Sequence, residues 1–262
     1  MKRYLRLWLQ FAKMSAMADF EYRTNIVLRF MGEFLWYTMQ LSVFEVLYLH
    51  TKTISGWDVN DMRVFMGSLF FVDVLYMILL HENMDYLGSI VRKGDLDLYL
   101  TKPVNSQFMI SFRKVSVSYL LNLLMISAYL VWAVMHLSRP VSVWQVLSFG
   151  MMIFFGLCIC YALRFMFAAL TVIVQDAGNI QFIWNQMYRL ATRPDPIYPM
   201  FLRYLIFTFF PVAFFASVPS RILVEGLHWY FLVASPVFAV SLIWLSHLWW
   251  EKALRGYSSA SS

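Results

Sequence analysis

Long, nearly unbroken apolar runs alternate with short polar segments along this chain. Six runs stand out, at residues 26–49, 64–80, 115–137, 143–174, 200–218 and 229–250. A bilayer's hydrocarbon core is about 30 Å thick, which takes about 20 helical residues to cross. The run at 64–80 is short but adequate. The run at 143–174, with 32 residues, would make a helix of about 48 Å, so its far end should protrude into water. Pro211 falls inside the fifth run, and Trp249 and Trp250 close the sixth at an interface. A β-barrel would instead show alternating segments of about 10 residues. The pattern therefore predicts an all-α membrane protein with six transmembrane helices, built as a single membrane domain over residues 1–262.

The flanking segments refine this picture. Residues 1–24 are mixed rather than apolar. On a helix, Lys2, Arg6, Gln10 and Lys13 share one face, and Tyr4, Trp8 and Phe11 lie opposite. That describes an amphipathic elbow helix lying in the membrane interface. A signal peptide is the competing reading, because Ala16-Met17-Ala18 resembles a cleavage site, but Arg6, Gln10 and Lys13 interrupt its apolar centre. The connection at 138–142, with Pro140, reads as a tight turn. Residues 210–228 read either as a re-entrant segment dipping into the outer leaflet or as a kinked helix followed by a loop. Re-entrant backbone would have to be buried in protein or line water. The small, polar tail at 257–262 is expected to be disordered. No internal repeat is evident, which argues against an inverted-repeat secondary transporter.

Composition and charge agree with the pattern. Mean hydropathy is +0.62 and only 14% of residues are charged, well below the roughly one quarter of soluble domains. The net charge of +6 is less informative than its placement. With a cytoplasmic amino terminus, the inner segments (1–25, 81–114, 175–203 and 251–262) hold 15 Lys and Arg against 4 outside. This bias places both termini in the cytoplasm. Nucleic acid is not an expected partner, whereas membrane lipids are. Cys158 and Cys160 point about 200° apart on a helix and read as small packing residues.

The chain carries no phosphate-binding glycine loop of the form Gly-x-x-x-x-Gly-Lys-Ser/Thr. His81-Glu82 does not continue into a metalloprotease motif, and no Gly-x-Ser-x-Gly turn occurs. No catalytic, cofactor or metal site is expected, and any ATP used should be bound by another chain. Within the first run, Arg29 and Glu33 are one turn apart and can pair; Tyr37 and Gln40 continue the same seam. The seam reads as a translocation or dimer surface, or as an ion pair near the cytoplasmic end. Glu45 belongs at the outer headgroups. Asp73, midway along the second run, should bond a neighbouring helix or touch a substrate. Arg164 is expected to snorkel to the inner interface, with Asp176 as its charge partner or solvated.

The polar segment 81–114 is the strongest functional candidate. Asp95 can cap a helix start after Gly94, Leu96 and Leu100 lie one turn apart, and Lys102-Pro103 ends the helix. A short amphipathic cytoplasmic helix of this kind can lie in a partner's groove; a solvated loop or surface helix is the alternative.

This segment resembles the type-2 ABC exporter permeases (the ABC-2 family), in particular their six-helix bacterial branch. The signature Gly-x-Leu-Asp-x-x-Leu-x-Arg/Lys-Pro-x-Asn is matched by Gly94, Leu96, Asp97, Leu100, Lys102, Pro103 and Asn105, with Lys102 where arginine is commoner. Tyr198-Pro199, Phe210-Pro211-Val212-Ala213-Phe214, Val218-Pro219 and Ala253-Leu254-Arg255 with Tyr257 extend the likeness over the chain. The resemblance implies a type V exporter-like architecture in a bacterial cytoplasmic (inner) membrane. It implies two permeases, identical or related, docked on two ABC ATPase subunits that bind ATP and Mg. It also implies that Gly94, Asp95, Leu96, Asp97, Leu100, Lys102, Pro103 and Asn105 receive force from the ATPase, with the elbow helix as a second lever. An amphipathic or hydrophobic substrate would be exported. A self-contained secondary transporter or channel, and an intramembrane enzyme, are the alternatives.

Overall fold

The structure, a computed structural model, describes residues 2–174, 177–226 and 228–257. Asp176 and the tail 258–262 lie outside the described residues. Regular structure among the described residues is helical, apart from an isolated bridge between Ile54 and Trp57.

Helix α1 (Lys2–Glu21) breaks at Tyr22 and leads into α2 (Arg23–His50). Helix α3 spans Val59–Lys93, and α4 (Leu96–Leu100) and α5 (Ser106–Phe112) follow as short pieces. Then come α6 (Val117–Met135), α7 (Val143–Val174) and α8 (Ala177–Arg189). Helices α9 (Met200–Thr208), α10 (Ser217–Val224) and α11 (Trp229–Arg255) complete the chain. Four of these, α3, α6, α7 and α11, are long and apolar enough to cross a membrane. Helix α2 has 28 residues but carries Arg29, Glu33 and Glu45 along its length.

Helix α3 is longer at both ends than the apolar run 64–80. Its start is set by a capping box. The Asp58 carboxylate accepts from the Asn60 and Asp61 amides, both at 2.8 Å, while the Asp61 carboxylate accepts from the Asp58 amide at 3.1 Å. At the other end the helix does not stop at Leu80. It passes through a π-helical turn at Met77–His81 and continues as Glu82–Lys93. Residues 81–93 are therefore helix, which corrects the reading of 81–114 as a loop. The hydrophobic criterion failed there because the extension is amphipathic: Met84, Leu87, Ile90 and Val91 are buried while Tyr86, Arg92 and Lys93 are exposed. At 35 residues, or about 52 Å, α3 overshoots a bilayer as α7 does, and the two overshooting ends pack together. Gly88 lets the start of α8 in against this end of α3: a Cβ there would sit 2.4 Å from the Ala177 Cβ.

The fifth crossing is the largest correction. The run 200–218 is not one helix. Helix α9 ends at Thr208, the chain turns through Pro211, and α10 runs back. Arg203 on α9 and Arg221 on α10 both bind the Asp195 carboxylate, at 2.7 and 2.8 Å. They cannot lie on opposite sides of a bilayer. Near the start of α7, Gln145 donates to the Ile222 carbonyl. A Cβ on Gly156, 13 residues or about 20 Å along α7, would meet the Phe214 carbonyl oxygen at 2.5 Å. Residues 200–224 thus form a hairpin whose two ends share one level and whose tip reaches midway along α7. Meanwhile residues 177–198 run back alongside α3 and α7. Ala177 lies against Gly88, Gln181 reaches Arg164, Tyr188 reaches Asp73, and Asp195 meets Ser217 and Arg221.

Two cores result. The larger joins α3, α7, α11 and the hairpin tip through Leu163, Phe165, Phe214, Phe215 and Trp250. The second, near the α2–α3 connection, gathers Trp57, Phe65, Phe70, Ile126 and Leu223.

Candidate functional site

The motif-bearing segment begins where α3 ends. Gly94 adopts φ 73°, and the Gly94 and Asp95 amides donate to the Val91 and Ile90 carbonyls. This is a helix stop that a left-handed residue makes, and glycine adopts it without Cβ strain. Asp95 sits at the start of α4, but its side chain caps nothing there, contrary to the expectation from sequence. The expected Leu96–Leu100 stripe is also split. Leu96 is fully buried in the larger core, whereas Leu98 and Leu100 are exposed. The outward face of the segment is an apolar pair among Arg92, Lys93, Lys102, Pro103 and Asn105, all exposed. Asp97 is half-buried at its edge.

Tyr99 fixes the segment from within. It is buried, accepts a hydrogen bond from Arg113, and has Lys102 Nζ 5.4 Å from its ring centre. Asn105 caps α5 by accepting from the Phe108 amide at 3.0 Å. The next residues bind two other helices, α7 and α11. Ser106 accepts from Trp250 Nε1 at 3.0 Å. Gln107 donates to Tyr161 at 3.1 Å and to Ser246 at 3.2 Å, and its Oε1 lies 3.1 Å from His247 Nδ1. From the other side, Arg3 on α1 donates to the Pro103 carbonyl and Tyr4 packs edge-on against Phe108. Asp19 and Ser15, further along α1, accept from the Ser118 and Val115 amides. The exposed patch is thus tied rigidly to α1, α7 and α11. The predicted face of α1 is present, with Lys2, Arg6, Gln10 and Lys13 exposed and Trp8 and Phe11 half-buried.

Where α3 meets α2 and α7, the overshooting part carries a charged network. Glu82 holds both Arg29 and Lys114. Arg29 therefore does not pair with Glu33; it reaches across to α3, where Glu82 already has a second cation. Arg164 is 2% exposed and does not snorkel. It binds Asp85, Tyr76 and Gln181 and stacks over Trp184. A buried guanidinium needs this full set of partners. Glu45 forms a forked pair with Arg63, at 2.6 and 2.9 Å.

Higher along α2 and α3, the remaining seam residues line one groove of about 1260 Å³. Asp73 lies at its floor, 7% exposed, and accepts from Tyr37 at 3.1 Å and Tyr188 at 2.9 Å. Glu33, Gln40 and Trp36 line the α2 wall, and Asn185, Arg189 and Tyr198 the wall opposite. The seam is therefore divided: Glu33, Gln40 and Asp73 line the groove, Tyr37 supports its floor, and Arg29 belongs to the Glu82 network. Sequence reasoning missed Tyr188, Asp85, Gln107 and Asp195. Their partners are about 50 or more residues away in most of these contacts, so no local pattern marked them. No group of three metal-ligating side chains occurs among the described residues.

A family model described as "ABC-2 family transporter protein" matches residues 34–261. No curated protein matches the sequence.

Proposed function

Because this chain belongs to the ABC-2 family of transporter proteins, a family of multi-pass membrane components that work with ABC ATPase subunits, we propose that it is the permease half of an ATP-driven exporter. Two permease chains, identical or related, pair and sit on two separate ATPases that bind ATP and Mg. The single observation that carries the mechanism is the segment from Gly94 to Asn105. It presents Leu98 and Leu100 outward in a basic rim, its Pro103 is bonded to α1, and the adjoining Ser106 and Gln107 are bonded to α11 and α7. A push on such a patch moves three helices together, because the bonds behind it have no slack. A loop without those bonds would absorb the displacement.

On this reading the chain crosses the membrane six times, through α2, α3, α6, α7, the return 177–198 and α11; four of these, α3, α6, α7 and α11, are long and apolar enough to span by themselves. Residues 200–224 dip in from the outer side and leave again. The Lys and Arg distribution favours cytoplasmic ends for the chain, and a bacterial cytoplasmic membrane suits the family's resemblance. Amphipathic cargo suits the apolar walls of the groove. Co-purification tests the proposal: the full chain, gently solubilised from its own cells, should bring down a soluble ATPase bearing a phosphate-binding loop. Recovery of the chain without any nucleotide-hydrolysing companion, under conditions that keep it folded, would contradict it.

A further inference from the structure

We infer that the groove between α2, α3 and residues 185–198 binds an organic cation with an apolar body, held at Glu33 and Asp73. The inference rests on the transporter reading only for its physiological meaning, since binding itself is a property of this chain.

Two acids line the groove, Glu33 and Asp73, and neither makes an ion pair with a described residue. Asp73 is more than nine-tenths buried, and its two hydrogen bonds come from neutral phenols, Tyr37 and Tyr188. Glu33 makes no hydrogen bond or ion pair with a described residue. The nearby cation that sequence spacing would give it, Arg29, is held by Glu82. Several acids elsewhere have a base, Glu82 with Arg29 and Lys114, Asp85 with Arg164, and Asp195 with Arg203 and Arg221, while buried Asp61 and half-buried Asp19 accept from backbone amides. Acids inside a membrane protein ordinarily find such partners, and those that do not mark a ligand or ion path. In the groove, Glu33 has neither a base nor a backbone amide.

The walls fit the rest of such a ligand. Trp36 stands one turn from Glu33, and Tyr198 faces the groove from the opposite side, so that aromatic faces are available to a desolvated cation. Phe44, Leu47 and Leu69 extend the cavity as an apolar channel. Its volume of about 1260 Å³ exceeds that of common drug-sized sites, leaving room for a bulky body. Arg189 and Arg193 also border it, but both are exposed and their charge is screened by solvent.

A pair of ions of the same size and shape but opposite charge tests this. The full chain would be placed in nanodiscs of phosphatidylglycerol, so that no lipid amine competes. Binding of tetraphenylphosphonium and of tetraphenylborate is then measured against empty discs. Saturable phosphonium binding is expected, with little saturable borate binding. Glu33→Gln should weaken the phosphonium at least about ten-fold, and Asp73→Asn should do the same if it folds. Glu33→Gln has no partner in the protein to lose, so it keeps the test valid even if Asp73→Asn fails to fold. Borate binding as well as phosphonium, phosphonium binding unchanged by Glu33→Gln, or no saturable binding at all would each overturn the inference. Association with an ATPase is scored on the same material. Cation binding without an ATPase would refute only the transporter reading, and an ATPase without charge preference would refute only this site.

Discussion

Replacing Asp195 with asparagine is expected to be among the most damaging conservative substitutions in this chain. The carboxylate is fully buried and accepts from Arg221 at 2.8 Å through both Nε and Nη2, from Arg203 at 2.7 Å and from Ser217 at 2.6 Å. Asp195→Asn keeps the volume and removes the charge. The Arg221 side chain, 10% exposed, then keeps only Glu225 at 3.0 Å. Breaking a buried pair costs about 3–5 kcal/mol, and the surviving Glu225 contact places the expected loss near the lower figure, about 3 kcal/mol. Arg203 is 42% exposed, so its share of the network is screened and Arg203→Ala should cost no more than about 1 kcal/mol. At about 2–4 °C per kcal/mol, thermal unfolding in detergent should fall by about 6–12 °C for Asp195→Asn and by only a few degrees for Arg203→Ala. The double variant Asp195→Asn with Arg221→Met should recover most of the loss, because no unpaired charge remains buried. A fall of less than about 2 °C for Asp195→Asn, or an equal fall for Arg203→Ala, would refute the claim that this carboxylate joins the return segment to the hairpin.

Three further outcomes follow from the packing. Gly156→Ala should destabilise by about 1–3 kcal/mol, because its Cβ meets the Phe214 carbonyl at 2.5 Å, whereas Gly150→Ala, with nothing within 4 Å, should be neutral or stabilising; melting in detergent compares them. Leu96→Asp should unfold the chain, since Leu96 is fully buried, while Leu98→Asp with Leu100→Asp should leave melting nearly unchanged and abolish ATPase association in a pull-down. Gln107→Leu should leave ATPase association intact but uncouple hydrolysis from transport, because it cuts the bonds from the segment to Tyr161 and Ser246.

The helices were largely legible in the sequence, because apolar length is decided locally. The run at 143–174 matches α7 residue for residue, and the last run falls short of α11 only by the polar turn at its end. Failures came wherever burial was supplied by the protein rather than by lipid. The extension Glu82–Lys93 and the return 177–198 are too polar to be seen as spans, yet Met84, Leu87, Ile180 and Trp184 are buried against α7. Within the run 200–218 only Pro211 marked the turn, because its neighbours are apolar throughout. The motif from Gly94 to Asn105 was legible as a pattern, but which leucine faces outward was not. Leu96 and Leu98 differ only in what α3 and α5 place beside them. The ion pairs were the least legible: Arg29 has an acid one turn away and still binds Glu82, 53 residues on.

Flux across proteoliposomes tests most directly whether this chain is driven by a separate motor. Vesicles containing the full chain alone are compared with vesicles containing the chain and its co-purified ATPase, each with and without ATP, using an apolar organic cation as cargo. Flux above that of empty vesicles is predicted only where chain, ATPase and ATP are together. The same flux through the chain alone, with no nucleotide present, would contradict the account.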